Sequence, residues 1–133
     1  MNYVLDACAM IAYLGGEAGS SVVESILLDP ASRCYAHALN LCEVYYHVLR
    51  RSDEPTAQQA MQDLFADGVV EQTDMDRPFW EQVGRNKARG KISLADCVCL
   101  ALAQKLSAQL VTSDHAEFDP LVPLGICPIL FIR

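Results

Sequence analysis

Four acids in this chain occupy places where a carboxylate is hard to accommodate. Asp6 interrupts the apolar run YVLDACAMIAYL (residues 3–14), Glu43 closes NLCE, Asp96 closes SLAD ahead of a long apolar stretch, and Asp114 ends LVTSD. A buried carboxylate is costly unless it is paired, hydrogen-bonded or metal-bound. Four gathered in one place would repel each other and push some of their pKa values upward, and a divalent cation removes that repulsion. Oxygen donors without a paired Cys or His favour Mg2+ or Mn2+ over zinc. The chemistry such a centre suits is phosphodiester hydrolysis, in which metal polarises a phosphoryl oxygen, acidifies bound water and stabilises the leaving oxygen. No Gly-rich phosphate loop accompanies the acids, which argues against nucleoside triphosphate use. Asp6-Ala7-Cys8 lacks a second acid, which argues against an aspartyl-phosphate phosphatase.

Helix capping is the plainer explanation of each acid. Ser93 to Asp96 has the S-x-x-D form of a capping box, and Asn40 to Glu43 is its close relative. Asp6 can cap the helix that follows it, and Asp114 can start a turn. Ser21 to Glu24 (SVVE) has the same form with no strand before it, and Glu24 is assigned no chemistry. Capping accounts for the four acids singly. It does not account for their arrival at one edge, which depends on the elements that carry them.

Those elements follow from hydrophobic spacing. Residues 3–5 read as a short buried strand, and ACAMIAYL as a helix stopped by Gly15-Gly16. Ser20 or Ser21 is expected to cap a second helix with Val22, Val23, Ile26 and Leu27 on one stripe, and RCYAHAL to form a second strand. A helix opening at Asn40 carries Leu41, Val44, Tyr45, Val48 and Leu49 inward, with Glu43 in its first turn. Another after Pro55 carries Ala57, Ala60, Met61, Leu64 and Phe65. GVVEQ is a strand, and DRPFWEQVGRNKARG a helix with Phe79, Trp80 and Val83 toward the core. SLADCVCLALAQKL is a helix apolar nearly all round, while QLVTS and CPILFI are closing strands joined by a loop. Strands alternating with helices predict an α/β chain, three layers α/β/α with a mostly parallel central sheet, residues 1–133 forming one domain. Asp6, Glu43, Asp96 and Asp114 then all fall at the carboxyl edge of the sheet, where ligands bind in such folds.

The whole chain resembles the PIN domain, in particular the small ribonuclease toxins of VapBC toxin–antitoxin pairs. The resemblance rests on YVLDACAMIAYL, ALNLCEVYYHVLR, KISLADCVCLALA and LVTSDHAEF in that order. It implies that Asp6 and Asp96 are the principal Mg2+ (or Mn2+) ligands, that Glu43 completes the acidic pocket and that Asp114 is the fourth acid. Thr112 matches the hydroxyl residue that commonly precedes that acid and helps position it. It further implies metal-dependent cleavage of RNA, often a tRNA or rRNA loop, a homodimer, and a cognate antitoxin that occupies the acidic groove. Cys8 departs from the pattern, because Ser, Thr or Asn often stands two residues after the first acid. A thiol is a poor hydrogen-bond donor, and this leaves room for a PIN-like module that binds RNA or protein without cutting. A nuclease acting on DNA also stays open.

A net charge of −7 repels nucleic acid unless bound cations or a local basic patch intervene. Arg85, Lys87, Arg89 and Lys91 supply such a patch, four of the ten Lys and Arg residues, directly before the helix of Asp96. With Thr112 they form the expected substrate-facing set. The same cations suit a solvated helix end, where they complement the dipole. His37, His47 and His115 are expected to be structural, and Glu117 and Asp119 to be loop acids. Tyr46 points away from the inward stripe. Six cysteines without ligand-like spacing are expected to be reduced core residues. With no membrane-length apolar segment, and no basic n-region before Asp6, a cytoplasmic location is expected.

Overall fold

Alternation along strands of three to five residues sets the layers. In the computed structural model, which describes residues 1–133, β1 (Asn2–Leu5) is the middle strand of a five-stranded sheet. It is flanked by β2 (Arg33–His37) and β4 (Gln109–Thr112), with β3 (Val69–Gln72) and β5 (Ile129–Phe131) at the edges, in the order β3-β2-β1-β4-β5. Every neighbouring pair is parallel, so the sheet is wholly parallel. Val4 pairs with Leu110 and Leu5 with Val111. Alternate residues face opposite sides, and Val4 and Leu110 enter one core while Leu5 and Val111 enter the other.

Parallel sheets need cover on both faces because their crossovers carry helices. One face is covered by α1 (Ala7–Leu14), α2 (Ser20–Leu28), α3 (Ala38–Arg51) and α4 (Glu54–Ala66), which insert Met10, Val23, Ile26, Val44 and Leu64. The other is covered by α5 (Arg77–Ala88) and α6 (Leu94–Leu106), through Phe79, Val83 and Leu100, and by Phe118 of the short α7 (His115–Phe118). Cys97 to Ala103 of α6 are all buried, as its all-round apolar pattern predicts. The result is the three-layer α/β/α arrangement. The strand order reverses between β1 and β4, making that crevice the switch point. No helix is long and apolar enough to cross a membrane. All six cysteines are free, but only Cys34, Cys97 and Cys99 are core residues; Cys8 and Cys127 are half-buried, and Cys42 is exposed beside Leu41, which takes the inward position on α3.

Several boundaries differ from the sequence reading, each for a local reason. α2 is not capped by Ser20 or Ser21: its N-cap is Gly19 at φ 92°, and SVVE is no capping box. A Cβ at Gly19 would lie 2.7 Å from the Ile132 carbonyl oxygen, so a left-handed entry and the close pass of the chain just after the last strand both demand glycine. β2 ends at His37 and α3 begins at Ala38, not Asn40, because the His37 ring acts as the cap. Its Nδ1 accepts from the Leu39 N–H at 3.0 Å, its Nε2 donates to the Asp74 carbonyl at 2.7 Å, and it stacks on Phe79. Glu43 therefore stands in the second turn of α3. Trp80 is half exposed beneath Arg77, since Phe79 and Val83 already fill the inward stripe of α5. The segment after β4 is not an open loop but α7 followed by a 3-10 turn over Asp119–Leu124.

Candidate active site

Two sets of hydrogen bonds line the carboxyl edge, one running from Asp6 through Asp114 to the Asp96 N–H and the other holding Glu43. Asp6 leaves β1 with its N–H still on the Val111 carbonyl at 3.1 Å, and its Oδ1 caps α1 by accepting from the Ala9 N–H at 2.8 Å. Its Oδ2 accepts from the Thr112 hydroxyl. The same Thr112 oxygen accepts the Asp114 N–H at 2.9 Å, and Asp114 Oδ1 caps α7 through the Glu117 N–H at 3.0 Å. Glu117 Oε2 reaches across to the Ser93 N–H at 3.2 Å, and Ser93 caps α6 by accepting from the Asp96 N–H at 3.2 Å. Asn40 makes the second set, its amide nitrogen lying 3.3 Å from both Glu43 Oε1 and the Ala95 carbonyl.

Capping is thus real at Asp6 and Asp114, yet it uses only part of each group. An ionised carboxylate offers about four acceptor sites, and Asp6 spends two. At α6 the capping box is incomplete in a telling way. Its reciprocal bond, from the Ser93 N–H to the third helical residue, goes to Glu117 instead of Asp96. Asp96 receives no backbone N–H, although the adjacent Ser93 hydroxyl favours its ionised form.

The electrostatics follow from this crowding. Burial raises the Asp6 carboxyl to about 7 against the help of Thr112 and Ala9, and the charges of Asp96 and Asp114 push the same way. Burial likewise raises Asp96 to about 6, with Glu117, Glu43 and Asp114 adding repulsion. Glu43 is raised by burial, opposed by the Asn40 amide. Cys8 is pushed to about 12 by burial and then by Asp6, Asp114, Asp96 and Glu43, so its thiol stays protonated in the field of the four acids. None of the four has a cationic partner; the ion pairs of the molecule are Lys105–Asp74, His115–Asp119 and Arg133–Glu17.

The donor chemistry fits a hard divalent cation: one buried and three half-buried carboxylates, raised pKa values at Asp6, Asp96 and Glu43, and no competing Lys or Arg. One further atom is left wanting, because the Asn40 Oδ1 is buried without a hydrogen-bond partner. No three His, Cys, Asp or Glu side chains stand close enough together to form a preset metal cage.

The other anticipated residues divide. Thr112 is fully buried, with its hydroxyl shared between Asp6 and Asp114, so it orients acids and has no surface to offer substrate. Lys87 donates to the Ile92 carbonyl at 2.6 Å and Arg85 to the Gln82 side chain at 2.9 Å. Arg89 and Lys91 are exposed, in the turn that leads into α6. His115 is held by Asp119, the Arg133 carbonyl and the face of Phe131, a structural duty. His47 lines a separate groove with Arg51 and Asp63. Glu117 and Asn40 are the residues the sequence reading undervalued. D-x-x-E at Asp114–Glu117 was the available signal for the first; nothing in NLCE distinguishes a buried amide from a surface cap.

An α/β/α sheet with acids flanking its switch point is the frame of a known family. The PIN domain model matches residues 3–119, and the chain belongs to the PIN domain family. No curated protein sequence matches it. Among solved structures it is similar to VapBC2 from Rickettsia felis, bound to a promoter DNA fragment, with a TM-score of 0.76, 14% identity and 98% of each chain covered. DNA-bound VapBC from Salmonella typhimurium gives a TM-score of 0.75 at 14% identity, covering 100% of this chain and 99% of that one. VapC20 from Mycobacterium tuberculosis, a sarcin-ricin loop cleaving toxin, gives 0.70 at 15% identity, covering 89% and 94%.

Proposed function

We propose that this chain is a Mg2+- or Mn2+-dependent endoribonuclease, the toxin of a toxin–antitoxin pair, working in the cytoplasm as a homodimer with residues 1–133 as one nuclease domain. The observation that carries this reading is the set Asp6, Glu43, Asp96 and Asp114 at the carboxyl edge, with Asp6 and Asp114 coupled through Thr112 and none of the four in an ion pair. Asp6 and Asp96 are the principal ligands for the metal, with Glu43 and Asp114 completing the shell. The metal supplies Lewis acidity toward the phosphoryl oxygen and lowers the pKa of water. Thr112 fixes the Asp6 and Asp114 groups in place, and Glu117 keeps Asp96 available by occupying the Ser93 N–H. Arg89 and Lys91, free at the mouth of α6, draw the RNA phosphates against the net charge of −7; Arg85 and Lys87 contribute to the same field. The likeness to VapBC complexes supports an antitoxin partner. Exposed Met75, Trp80 and Leu94 beside α5 and α6 support a protein contact such as the homodimer would make.

The test is incubation of the purified chain with a mixed tRNA pool, with and without Mg2+ or Mn2+, beside folded Asp6→Asn and Asp96→Asn proteins. Metal-dependent cleavage that both substitutions reduce by at least about a hundredfold is the expected result, the loss of one principal ligand removing several kcal/mol of transition-state stabilisation. A folded wild-type chain that binds RNA and leaves it intact with either metal assigns it instead to the binding modules.

A further inference from the structure

Asn40 is fully buried in the first turn of α3, where nothing about helix formation calls for an amide, since His37 already caps the helix. Its orientation is settled by its neighbours. Nδ2 faces two acceptors, Glu43 Oε1 and the Ala95 carbonyl, each at 3.3 Å, and a flipped amide would set oxygen against oxygen at both. The contact with Ala95 is made one residue before Asp96, so one side chain spans from the Glu43 carboxylate to the start of α6. The remaining atom, Oδ1, is the one buried side-chain polar atom in the molecule without a hydrogen-bond partner. A residue present only to fill space would not keep an unsatisfied carbonyl in the core, because an apolar side chain of the same shape avoids that cost.

We propose that Asn40 is the positioning residue of the acidic centre: its amide nitrogen ties the Glu43 carboxylate to the start of the helix that carries Asp96. This rests on the metal-dependent reading of the four acids. Asn40 has no exposed surface and acts through Glu43. Partners of this kind around a metal are typically worth 10–100-fold in affinity.

The experiment is Mn2+ titration calorimetry on the wild-type chain, Asn40→Leu and Asn40→Ser, with thermal melts and tRNA cleavage on the same preparations. Leu keeps the branching and removes both polar atoms, with bulkier methyl groups in their place; Ser covers the case in which Leu fails to fold, being too short to span Glu43 and Ala95. The expected result is Mn2+ affinity about tenfold or more weaker in the folded variants. Cleavage should fall with it and recover in part as Mn2+ is raised, a rescue that a merely structural role does not produce. Folded variants that bind Mn2+ with wild-type affinity overturn the assignment of Asn40 alone. A wild-type chain that neither binds Mn2+ nor cleaves overturns the metal-centre reading, and the role of Asn40 with it.

Discussion

Thr112 shows how much one buried hydroxyl can organise. It donates to Asp6 and accepts from the Asp114 N–H, so it couples the acid after β1 to the acid after β4 across the switch point. Valine has nearly the same shape and neither function. Thr112→Val leaves the Asp114 N–H without its acceptor and removes a bond that favours ionised Asp6. The expected loss is about 1–3 kcal/mol, read as a lower urea midpoint with an unchanged slope. Asp6, Glu43, Asp96 and Asp114 were legible in the sequence because each sits where apolar spacing makes an acid conspicuous. Asn40 was not, because its burial depends on α6 arriving opposite α3, a contact made between residues 55 positions apart. Thr112 was legible as a neighbour of Asp114, but its bond to Asp6 spans 106 positions and has no local sign.

At the level of elements, the N-termini of α6 and α7 exchange capping partners. Ser93-x-x-Asp96 and Asp114-x-x-Glu117 both have the spacing of a capping box, yet neither closes its reciprocal bond. The Asp114 N–H goes to Thr112 and the Ser93 N–H to Glu117. Asp96 is thereby left unspent. Glu117→Ala should return the Ser93 N–H to Asp96 and complete the local box, which keeps the change in stability within about 1 kcal/mol. The same substitution draws Asp96 out of the acidic centre, so calorimetry should show weaker Mn2+ binding in a protein of nearly wild-type stability. Weakened folding with unchanged Mn2+ affinity defeats this account of Glu117. The helices and strands themselves were readable from periodicity, apart from the His37, Gly19 and α7 boundaries. In each of those a side chain or carbonyl from elsewhere in the chain decides the local structure, and only the folded molecule brings it there.

For the molecule as a whole, the acids set a conflict between folding and function whose sign can be worked out. Asp6 and Asp96 have folded pKa values of about 7 and about 6, above the ordinary 3.8. Between pH 4 and 7 the metal-free native state therefore holds more protons than the unfolded chain, and stability falls as pH rises through that range. For Asp6, almost wholly buried, the loss is on the order of 4 kcal/mol; Asp96 adds less because solvent partly screens it. Metal-free protein should melt higher at pH 5 than at pH 8. Saturating Mn2+ at pH 8 should restore stability, by about 2.7 kcal/mol at a hundred times its dissociation constant. Asp6→Asn tests the cause directly. Asparagine can keep the bond from the Ala9 N–H and donate its own N–H to the Thr112 oxygen, without a buried charge to repel Asp96 and Asp114. Without metal, Asp6→Asn should be more stable than wild type at pH 8, with the gap closing toward pH 5, while cleavage is lost at both. Were Asp6 only a helix cap, the wild type would be the more stable protein at pH 8, because an ionised carboxylate caps an N-terminus at least as well as an amide and adds a favourable interaction with the dipole. Urea titrations at pH 5 and pH 8 on the two chelated proteins decide between a carboxylate kept for the helix and one kept for a cation.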